Sequence, residues 1–430
     1  MKSLGVNSYR FSISWARILP KGRFGEINQA GIAYYNELID ALVLKGVQPF
    51  VTLCHFDMPQ ELEDRYGSWL SSEVQEDFGY YADICFKYFG DRVKYWSTFN
   101  EPNFQVTFGY RDGTFPPSRC SGHFGNCTAG DSETEPYIAA HNIILSHAAA
   151  VDVYRTKYQK DQKGMIGIVL HCAWFEPFSE SEADGLATDR ANAFFANWFF
   201  DPIVLGRYPE EMSRVLGSTL PEFSSKDMEK LKQGLDFLGI NHYTSYYIKD
   251  CIYSACEPGL GTTRSEGSFQ TIQERDGFPM GKRVSFFSFF RLLDLQGDLG
   301  WQYIYPQGME KMVTYLKDRY NNVPMIISEN GYGEMNSPML TTGDFLNDVR
   351  RVEYMSGYLE SLMAAIRKGA DVRGYYAWSL LDNFEWTNGY TQRFGICHVD
   401  YNTMERTPKL SAKWFKGFID KYGKTPRAMM

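Results

Sequence analysis

The chain has 430 residues, of which 44% are hydrophobic and 22% are charged, as is typical of a globular protein. Its formal net charge of −8 at pH 7 and the lack of a basic cluster argue against nucleic acid as a partner. No uninterrupted run of about 18 apolar residues occurs, so we predict no membrane-spanning helix and no membrane partner.

Short apolar segments alternate with longer amphipathic ones along the chain. The short segments predict strands over residues 6–15, 48–56, 93–100, 165–171, 237–243, 325–328 and 372–379. The long segments predict helices over residues 30–45, 71–89, 135–158, 187–203, 226–234, 308–319 and 344–368. Strands that alternate with helices indicate parallel βα units, and strands this apolar need cover on both faces.

One closed barrel is the arrangement that this pattern favours. No Gly-rich phosphate-binding sequence follows any predicted strand, which argues against a dinucleotide-binding sheet. No change in composition marks a domain boundary, so we predict a single catalytic domain over residues 1–430, an α/β protein with a (β/α)8 TIM barrel. That barrel needs eight strands. Seven are recognisable, so the predicted barrel is incomplete at its N-terminus.

Polar residues cluster where the predicted strands end, which is where this fold carries its chemistry. They are His55, Asp57, Asn100, Glu101, Asn241, Tyr243, Glu329, Asn330, Trp378 and Glu385.

Two other parts of the chain stand out. Residues 284–293 are a dense, Phe-rich apolar run, which is either a short extra helix under the barrel rim or sequence foreign to the fold. Cys120 and Cys127 flank a Gly-containing loop and predict a disulfide if the protein meets an oxidising compartment, and Cys251 and Cys256 are a second candidate pair. The remaining cysteines lie in apolar contexts and are predicted to be buried thiols: Cys54, Cys85, Cys172 and Cys397.

Two glutamates dominate the candidate chemistry. Glu101 lies between an apolar strand and Pro102, and Glu329 ends another strand before Asn330 and Gly331. Cleavage of a glycosidic bond needs one carboxyl that donates a proton and one that stays ionised. An apolar surround suits Glu101 to the first task, and Arg10 on the first strand would keep Glu329 ionised for the second. The alternative for either glutamate is a solvated loop carboxylate.

Several longer motifs extend this interpretation. They are Thr98-Phe99-Asn100-Glu101-Pro102, Ile327-Ser328-Glu329-Asn330-Gly331, Tyr9-Arg10-Phe11-Ser12-Ile13-Ser14-Trp15, Asn241-His242-Tyr243-Thr244-Ser245 and the segment from Trp378 to Trp386. With these motifs the chain resembles glycoside hydrolase family 1, and most closely its plant β-glucosidases, over almost its whole length.

The resemblance implies a retaining β-glucosidase without metal or cofactor, with Glu101 as acid/base and Glu329 as nucleophile about 5 Å apart. Because family thioglucosidases carry Gln in place of the acid/base, it also implies O-linked β-glucosides as substrates, including those with an aromatic aglycone. Arg10 and Tyr243 would orient the nucleophile. The residues implied in substrate binding are His55, Asn100, Asn241, Tyr243, Trp378, Glu385 and Trp386.

Some aromatic and histidine residues have a simpler interpretation. His55 has the alternative of a hydrogen-bonded core histidine, and we interpret His141 and His147 as structural because their spacing does not suit a metal. We assign no role to His242. The tryptophans Trp174 and Trp301 either line the aglycone side or pack in the core, and we favour packing for Trp174.

The chain departs from the family at its start, because complete members begin with a strand whose Gln binds the sugar. Loss of that strand would expose the edges near Arg10 and Trp378 and predicts a poorly folded or weakly active chain. The alternatives are an inactive sugar-binding isoform and a transglycosylase that uses the same intermediate.

We expect a secreted, apoplastic or vacuolar protein from the family and from the Cys120–Cys127 pair, although no signal peptide is recognisable.

Overall fold

A parallel β-sheet forms the centre of the molecule. The computed structural model describes residues 1–283 and 299–423, which leaves the Phe-rich run at 284–293 outside the described residues. Within them, seven parallel strands lie in one sheet in their order along the chain. We call this the barrel sheet and number its strands β1 to β7: Ser8–Ser12, Gln48–Cys54, Tyr95–Asn100, Met165–His171, Phe237–Asn241, Met325–Asn330 and Val372–Ala377. The predicted (β/α) barrel is confirmed, and each predicted strand is present. The strand over 165–171 matches its prediction, the strand predicted over 325–328 extends two residues further to Asn330, and the other five are shorter at one or both ends by up to three residues.

Helices connect these strands. The longer ones are Gln29–Leu44, Val74–Phe89, Pro102–Tyr110, Glu135–Val153, Glu182–Ala193, Asn197–Leu205, Gln307–Arg319, Val349–Arg367 and Leu410–Tyr422. The shorter ones are Trp15–Ile18, Gln60–Tyr66, Gln159–Gln162, Glu210–Leu216, Ser225–Leu231 and Thr342–Leu346, with 3-10 turns at Lys2–Leu4, Gly22–Phe24, Ser68–Leu70, Gly217–Thr219, Arg264–Glu266 and Trp386–Asn388 and a π turn at Tyr154–Tyr158.

The helix predictions differ from the structure in several places. The single helices predicted over 187–203 and 344–368 are each two helices: the first is interrupted between Ala193 and Asn197, and the second between Leu346 and Val349. The helices Pro102–Tyr110 and Leu410–Tyr422 were not predicted. The first of these begins with a proline, whose fixed φ suits the first turn of a helix.

Short strands outside the barrel sheet form one further three-stranded sheet and four strand pairs. Trp174–Pro177, Ser245–Asp250 and Phe269–Ile272 form a three-stranded sheet. The remaining pairs are Glu274–Arg275 with Phe278–Pro279, Lys282–Arg283 with Tyr303–Ile304, Glu334–Met335 with Gln392–Arg393, and Cys397–Val399 with Arg406–Pro408.

Large apolar side chains fill the inside of the barrel. Phe50, Val169, Phe237 and Ile326 come from four different strands and form one buried cluster with Tyr376 packed against it. Inward-facing side chains from alternate strands fill the interior of a (β/α) barrel in this way, so the interior is packed and the open site lies at one end.

The barrel sheet is open between its first and last strands. All five residues of β1 are partly exposed, whereas all six residues of β6 are buried. The Ser8 hydroxyl and the Tyr376 hydroxyl meet at 2.6 Å across the opening. A cavity of about 1270 Å³, lined by residues of both edge strands, lies there. We call this opening between β1 and β7 the lateral gap. Within the described residues no strand occupies it.

The cysteines behave largely as predicted. Cys120 and Cys127 form a disulfide, and so does the second candidate pair, Cys251 with Cys256. The four cysteines predicted to be thiols are buried and unpaired in the described part of the chain. No helix among the described residues is both long and apolar enough to cross a membrane.

Candidate active site

The carboxyl ends of the strands bring both glutamates into one cavity. Glu101 directly follows β3, and Glu329 lies near the end of β6. Both are buried, with 8% and 4% of their surface exposed. Both line a cavity of about 610 Å³. In a parallel barrel the strand ends converge on one rim, which is why residues 228 positions apart in sequence meet.

Two donors hold the carboxylate of Glu329. Arg10 on β1 donates from Nη1 to Oε1 at 2.6 Å, and the Tyr243 hydroxyl donates to Oε2 at 2.7 Å. Burial raises the pKa of Glu329, and Arg10 and Tyr243 oppose that rise while Glu101 adds to it. With both oxygens engaged by donors, the carboxylate has a single orientation.

Glu101 has a different surround. Its Oε1 accepts a hydrogen bond from Asn241 Nδ2 at 2.9 Å, and His171 Nδ1 lies 3.2 Å from the same oxygen. The backbone of Glu101 is left-handed, with φ 45° and ψ 48°, a conformation that costs a non-glycine residue of order 1–3 kcal/mol. The Glu101 amide donates to the Val169 carbonyl at 2.8 Å, which ties this turn to the neighbouring strand.

Asn100 connects the residues around Glu329 with those around Glu101. Its Oδ1 accepts from Arg10 Nη2 at 2.6 Å and from Asn241 Nδ2 at 3.0 Å. The amide nitrogen of Asn100 is therefore the donor to His55 Nε2 at 3.0 Å. Burial, with a further contribution from Arg10, lowers the pKa of His55 well below its usual range. His55 is thus neutral, and its Nδ1 carries the proton.

Glu385 and the two tryptophans complete the wall around the glutamates. Burial, with a further contribution from Glu329, raises the pKa of Glu385 to about 7. The Trp386 ring stacks on the ring of His55 at 5.3 Å, and the Trp378 ring lies 6.2 Å from it. Gly331 is required beside Trp378, because a Cβ at this position would lie 1.9 Å from the Trp378 carbonyl oxygen.

Aromatic rings line the rest of the cavity. Phe104 stacks on His171 with ring centroids 4.1 Å apart and contacts Phe108 at 4.9 Å. Further lining residues share this aromatic character: Phe56, Phe115, Phe175, Phe194, Phe195, Trp198, Tyr246 and Trp301. Trp301 therefore lies on the cavity wall, whereas Trp174 packs against Tyr315 outside it, as predicted.

Most of the predicted site residues line this cavity: His55, Asn100, Glu101, Tyr243, Glu329, Trp378, Glu385 and Trp386. Asn241 does not, although it was predicted to bind substrate. It is fully buried behind the wall, where its Oδ1 accepts from Ser328 and its Nδ2 donates to Asn100 and Glu101.

The remaining polar candidates lie away from the cavity. Asp57 accepts from the Trp15 amide and so braces the end of β2. Asn330 donates to the His242 carbonyl. His147 bonds to Thr98 and His141 to Tyr208, in line with structural roles. No cluster of His, Cys, Asp or Glu in the described ranges has the geometry of a metal site.

His171 is the residue that sequence reasoning missed. It ends β4, lines the cavity and contacts Glu101. The predicted strand over 165–171 ended at this residue, so a search for polar residues at strand ends had the signal that was needed. No motif drew attention to it.

Known proteins resemble the chain along nearly its full length. Residues 1–424 match the sequence model of glycosyl hydrolase family 1. Beta-glucosidase 47 of Arabidopsis thaliana is 57% identical over 97% of this chain and 73% of its own length. The coniferin beta-glucosidase of Pinus contorta is 49% identical over 97% of this chain and 80% of its own.

Two further relatives bear on activity and fold. A rice protein named probable inactive beta-glucosidase 14 is 56% identical over 97% of this chain and 78% of its own length. The crystal structure of the rice Os3BGlu6 beta-glucosidase superposes with a TM-score of 0.90 at 45% identity, covering 97% of this chain and 85% of that chain. The plant relatives and the two disulfides of the described residues fit an extracellular or vacuolar enzyme.

Proposed function

Since this chain belongs to glycoside hydrolase family 1 and is a glycoside hydrolase, we propose that it hydrolyses O-linked β-glucosides through a glycosyl-enzyme, with Glu329 as nucleophile and Glu101 as acid/base. One observation carries the proposal. Glu329 is held by Arg10 and Tyr243, and Glu101, in the same cavity, is held by an amide and an imidazole. The two carboxyls therefore differ in their surround, as an acid and a nucleophile must.

The first step forms the intermediate. Glu101 transfers its proton to the glycosidic oxygen while the bond from that oxygen to C1 breaks, and a Glu329 oxygen bonds to C1. In the second step the Glu101 carboxylate takes a proton from water, and the water oxygen displaces Glu329 from C1. Two displacements at C1 leave the configuration unchanged.

The remaining polar side chains of the wall bind the sugar. Glu385 and Asn100 face the cavity and offer acceptors and donors for hydroxyl groups, and neutral His55 offers its Nδ1–H. Trp378 and Trp386 supply ring faces, which suit the C–H face of a pyranose. Asn241 acts behind the wall as an orienting residue for Glu101.

The aromatic wall favours an aromatic aglycone. A cavity of about 610 Å³ exceeds what one glucosyl unit needs, and the surplus is lined by rings such as Phe104 and Phe195. We expect a higher kcat/KM for phenyl β-glucoside and coniferin than for cellobiose. Phe195→Ala should narrow that difference.

Mechanism-based labelling tests the assignment of the nucleophile. A 2-fluoro-2-deoxyglucoside with an activated leaving group should add one fluoroglucosyl unit to the peptide containing Glu329, detected by mass spectrometry. Glu329→Gln should take up no label, whereas Glu101→Gln should be labelled and lose the label slowly. Label on another residue of the wild-type protein would refute the assignment. Adding an alcohol to the labelled enzyme separates transfer to water from transglycosylation.

A sugar-binding protein with weak or no turnover is the second candidate. The observation that favours it is the lateral gap, which lies beside Arg10 and Trp378, and one close relative is named as probably inactive. Calorimetric binding of glucose by a wild-type protein that takes up no label would support this candidate over the first.

A further inference from the structure

We propose that His171 is a positioning residue for Glu101: its Nδ1–H holds Oε1, so that the transferable proton resides on Oε2. This inference rests on the proposed role of Glu101 as acid/base. His171 is 5% exposed and ends β4, and its Nδ1 lies 3.2 Å from Glu101 Oε1.

The imidazole ring has a single orientation. Its face stacks on Phe104 at 4.1 Å, and it lies parallel to the Tyr243 ring at 6.0 Å. Asn103 ties down the backbone, since its Nδ2 donates to the His171 carbonyl at 3.0 Å and its Oδ1 accepts from the His171 amide at 3.3 Å. Phe104 and Asn103 belong to the helix that begins immediately after Glu101, so ring and carboxyl are held by one short segment.

The hydrogen bonds around Glu101 select the proton's position. Ser328 donates to Asn241 Oδ1, which orients the Asn241 amide so that its nitrogen donates to Glu101 Oε1. A second donor from His171 fills the remaining lone pair of that oxygen. Because Oε1 then accepts twice, the proton of the neutral carboxyl sits on Oε2. With one donor removed, Oε1 competes for the proton, and a share of the molecules holds it where it cannot reach the glycosidic oxygen.

The same contact acts when charge develops. As Glu101 gives up its proton, the hydrogen bonds from His171 and Asn241 become bonds to an anion, which are shorter and stronger. His171 keeps its proton throughout both steps. Its contribution is therefore confined to reactions in which Glu101 moves a proton.

The leaving group of the substrate separates this role from simple packing. Phenyl β-glucoside needs protonation of its leaving oxygen, whereas 2,4-dinitrophenyl β-glucoside departs without it. His171→Val should lower kcat/KM about tenfold for the phenyl substrate, which is the effect of one hydrogen bond to a charged group, and leave the dinitrophenyl value within twofold. Azide, a nucleophile that needs no base, should raise kcat of this variant on the dinitrophenyl substrate.

A conservative variant and a remote control complete the test. Asparagine carries an amide nitrogen at the position of the imidazole Nδ1, so His171→Asn should stay within threefold of wild type on both substrates. His141→Val removes a histidine that bonds to Tyr208 outside the cavity and should change neither value. Equal losses on both substrates, equal losses in the two His171 variants, or no loss in His171→Val would each overturn the proposal.

Glu101→Gln, assayed in parallel, distinguishes failure of the acid/base assignment of Glu101 from failure of the positioning role of His171. If it fails to lose activity selectively on the phenyl substrate, the assignment of Glu101 fails. If it shows the selective loss and His171→Val does not, Glu101 remains the acid/base and only the role of His171 fails. Thermal unfolding of each variant by circular dichroism establishes that the compared proteins are folded.

Discussion

Arg10 and Glu329, which lie 319 positions apart, form a buried ion pair with Nη1 and Oε1 at 2.6 Å. The Arg10 side chain is 7% exposed and that of Glu329 is 6% exposed. The pair joins the first strand of the barrel sheet to the sixth. Arg10 lies on β1, the strand that also borders the lateral gap. Orientation of the proposed nucleophile therefore depends on an edge strand.

Replacing Arg10 should disable the site. Arg10→Met leaves the Glu329 carboxylate buried with one donor fewer, and loss of one partner of a buried pair costs about 3–5 kcal/mol. We expect kcat/KM for an aryl β-glucoside to fall at least a hundredfold. Arg155→Met is the matched control. Arg155 pairs with Asp236, with Nη2 and Oδ1 2.8 Å apart, and this pair does not contact either glutamate. Similar losses of activity in the two variants would contradict a specific role for Arg10.

Gly331 should tolerate no side chain. In Gly331→Ala the new Cβ would overlap the Trp378 carbonyl oxygen, so strand β6 or the segment after β7 must shift. We expect a loss of about 2–3 kcal/mol in the free energy of unfolding, measured by urea denaturation, and a lower kcat/KM. Gly185→Ala is the control, since it lies inside the helix Glu182–Ala193 and no heavy atom other than those of its chain neighbours and its own helix backbone lies within 4 Å of its Cβ. The control should be as stable as wild type or more so.

Glu385 should make stability depend on pH. Its pKa is raised from 4.5 to about 7, so between these values the folded protein binds more protons than the unfolded chain. Stability from this group is therefore present at low pH and is lost as pH rises toward 7. Allowing for solvent screening, we expect Glu385→Gln to gain about 1 kcal/mol relative to wild type between pH 5 and pH 8.

That gain is measured by urea unfolding of both proteins at each pH. A difference between Glu385→Gln and wild type that stays constant from pH 5 to pH 8 would show that Glu385 titrates alike in the folded and unfolded states. Asp344→Asn, on a fully exposed cap, gives the background expected for removal of a surface carboxylate.

Closing the lateral gap should stabilise the barrel. We expect a β-strand grafted ahead of Met1 to pair with the edges of β1 and β7, which no strand of the described residues covers, and to shield their partly exposed residues. The melting temperature should rise by about 3 °C or more, and hydrolysis of an aryl β-glucoside should increase because Arg10 becomes fixed. A Gly/Ser-rich extension of equal length is the control. Equal activity of the grafted and ungrafted chains would refute this prediction.

The sequence by itself determined which segments form strands and which residues lie at their ends. Alternation of apolar and amphipathic segments is a local property, so β1 to β7 were predicted within a few residues, and the motifs around Glu101 and Glu329 identified both carboxyls. Helix breaks near residues 194–196 and at 347–348 were missed, and no side-chain cap bond marks the start of the helix that follows either break.

Only the tertiary structure decided which of these residues face the cavity and which support them from behind. Asn241 was predicted to bind substrate and lies behind the cavity wall, while His171 carried no motif and contacts Glu101. The reason is geometric. Closure and tilt of a sheet determine whether a strand-end side chain faces the cavity or its neighbour, and that depends on strands far away in sequence. The lateral gap is the clearest case, since it exists only between β1 and β7, the two ends of the same sheet.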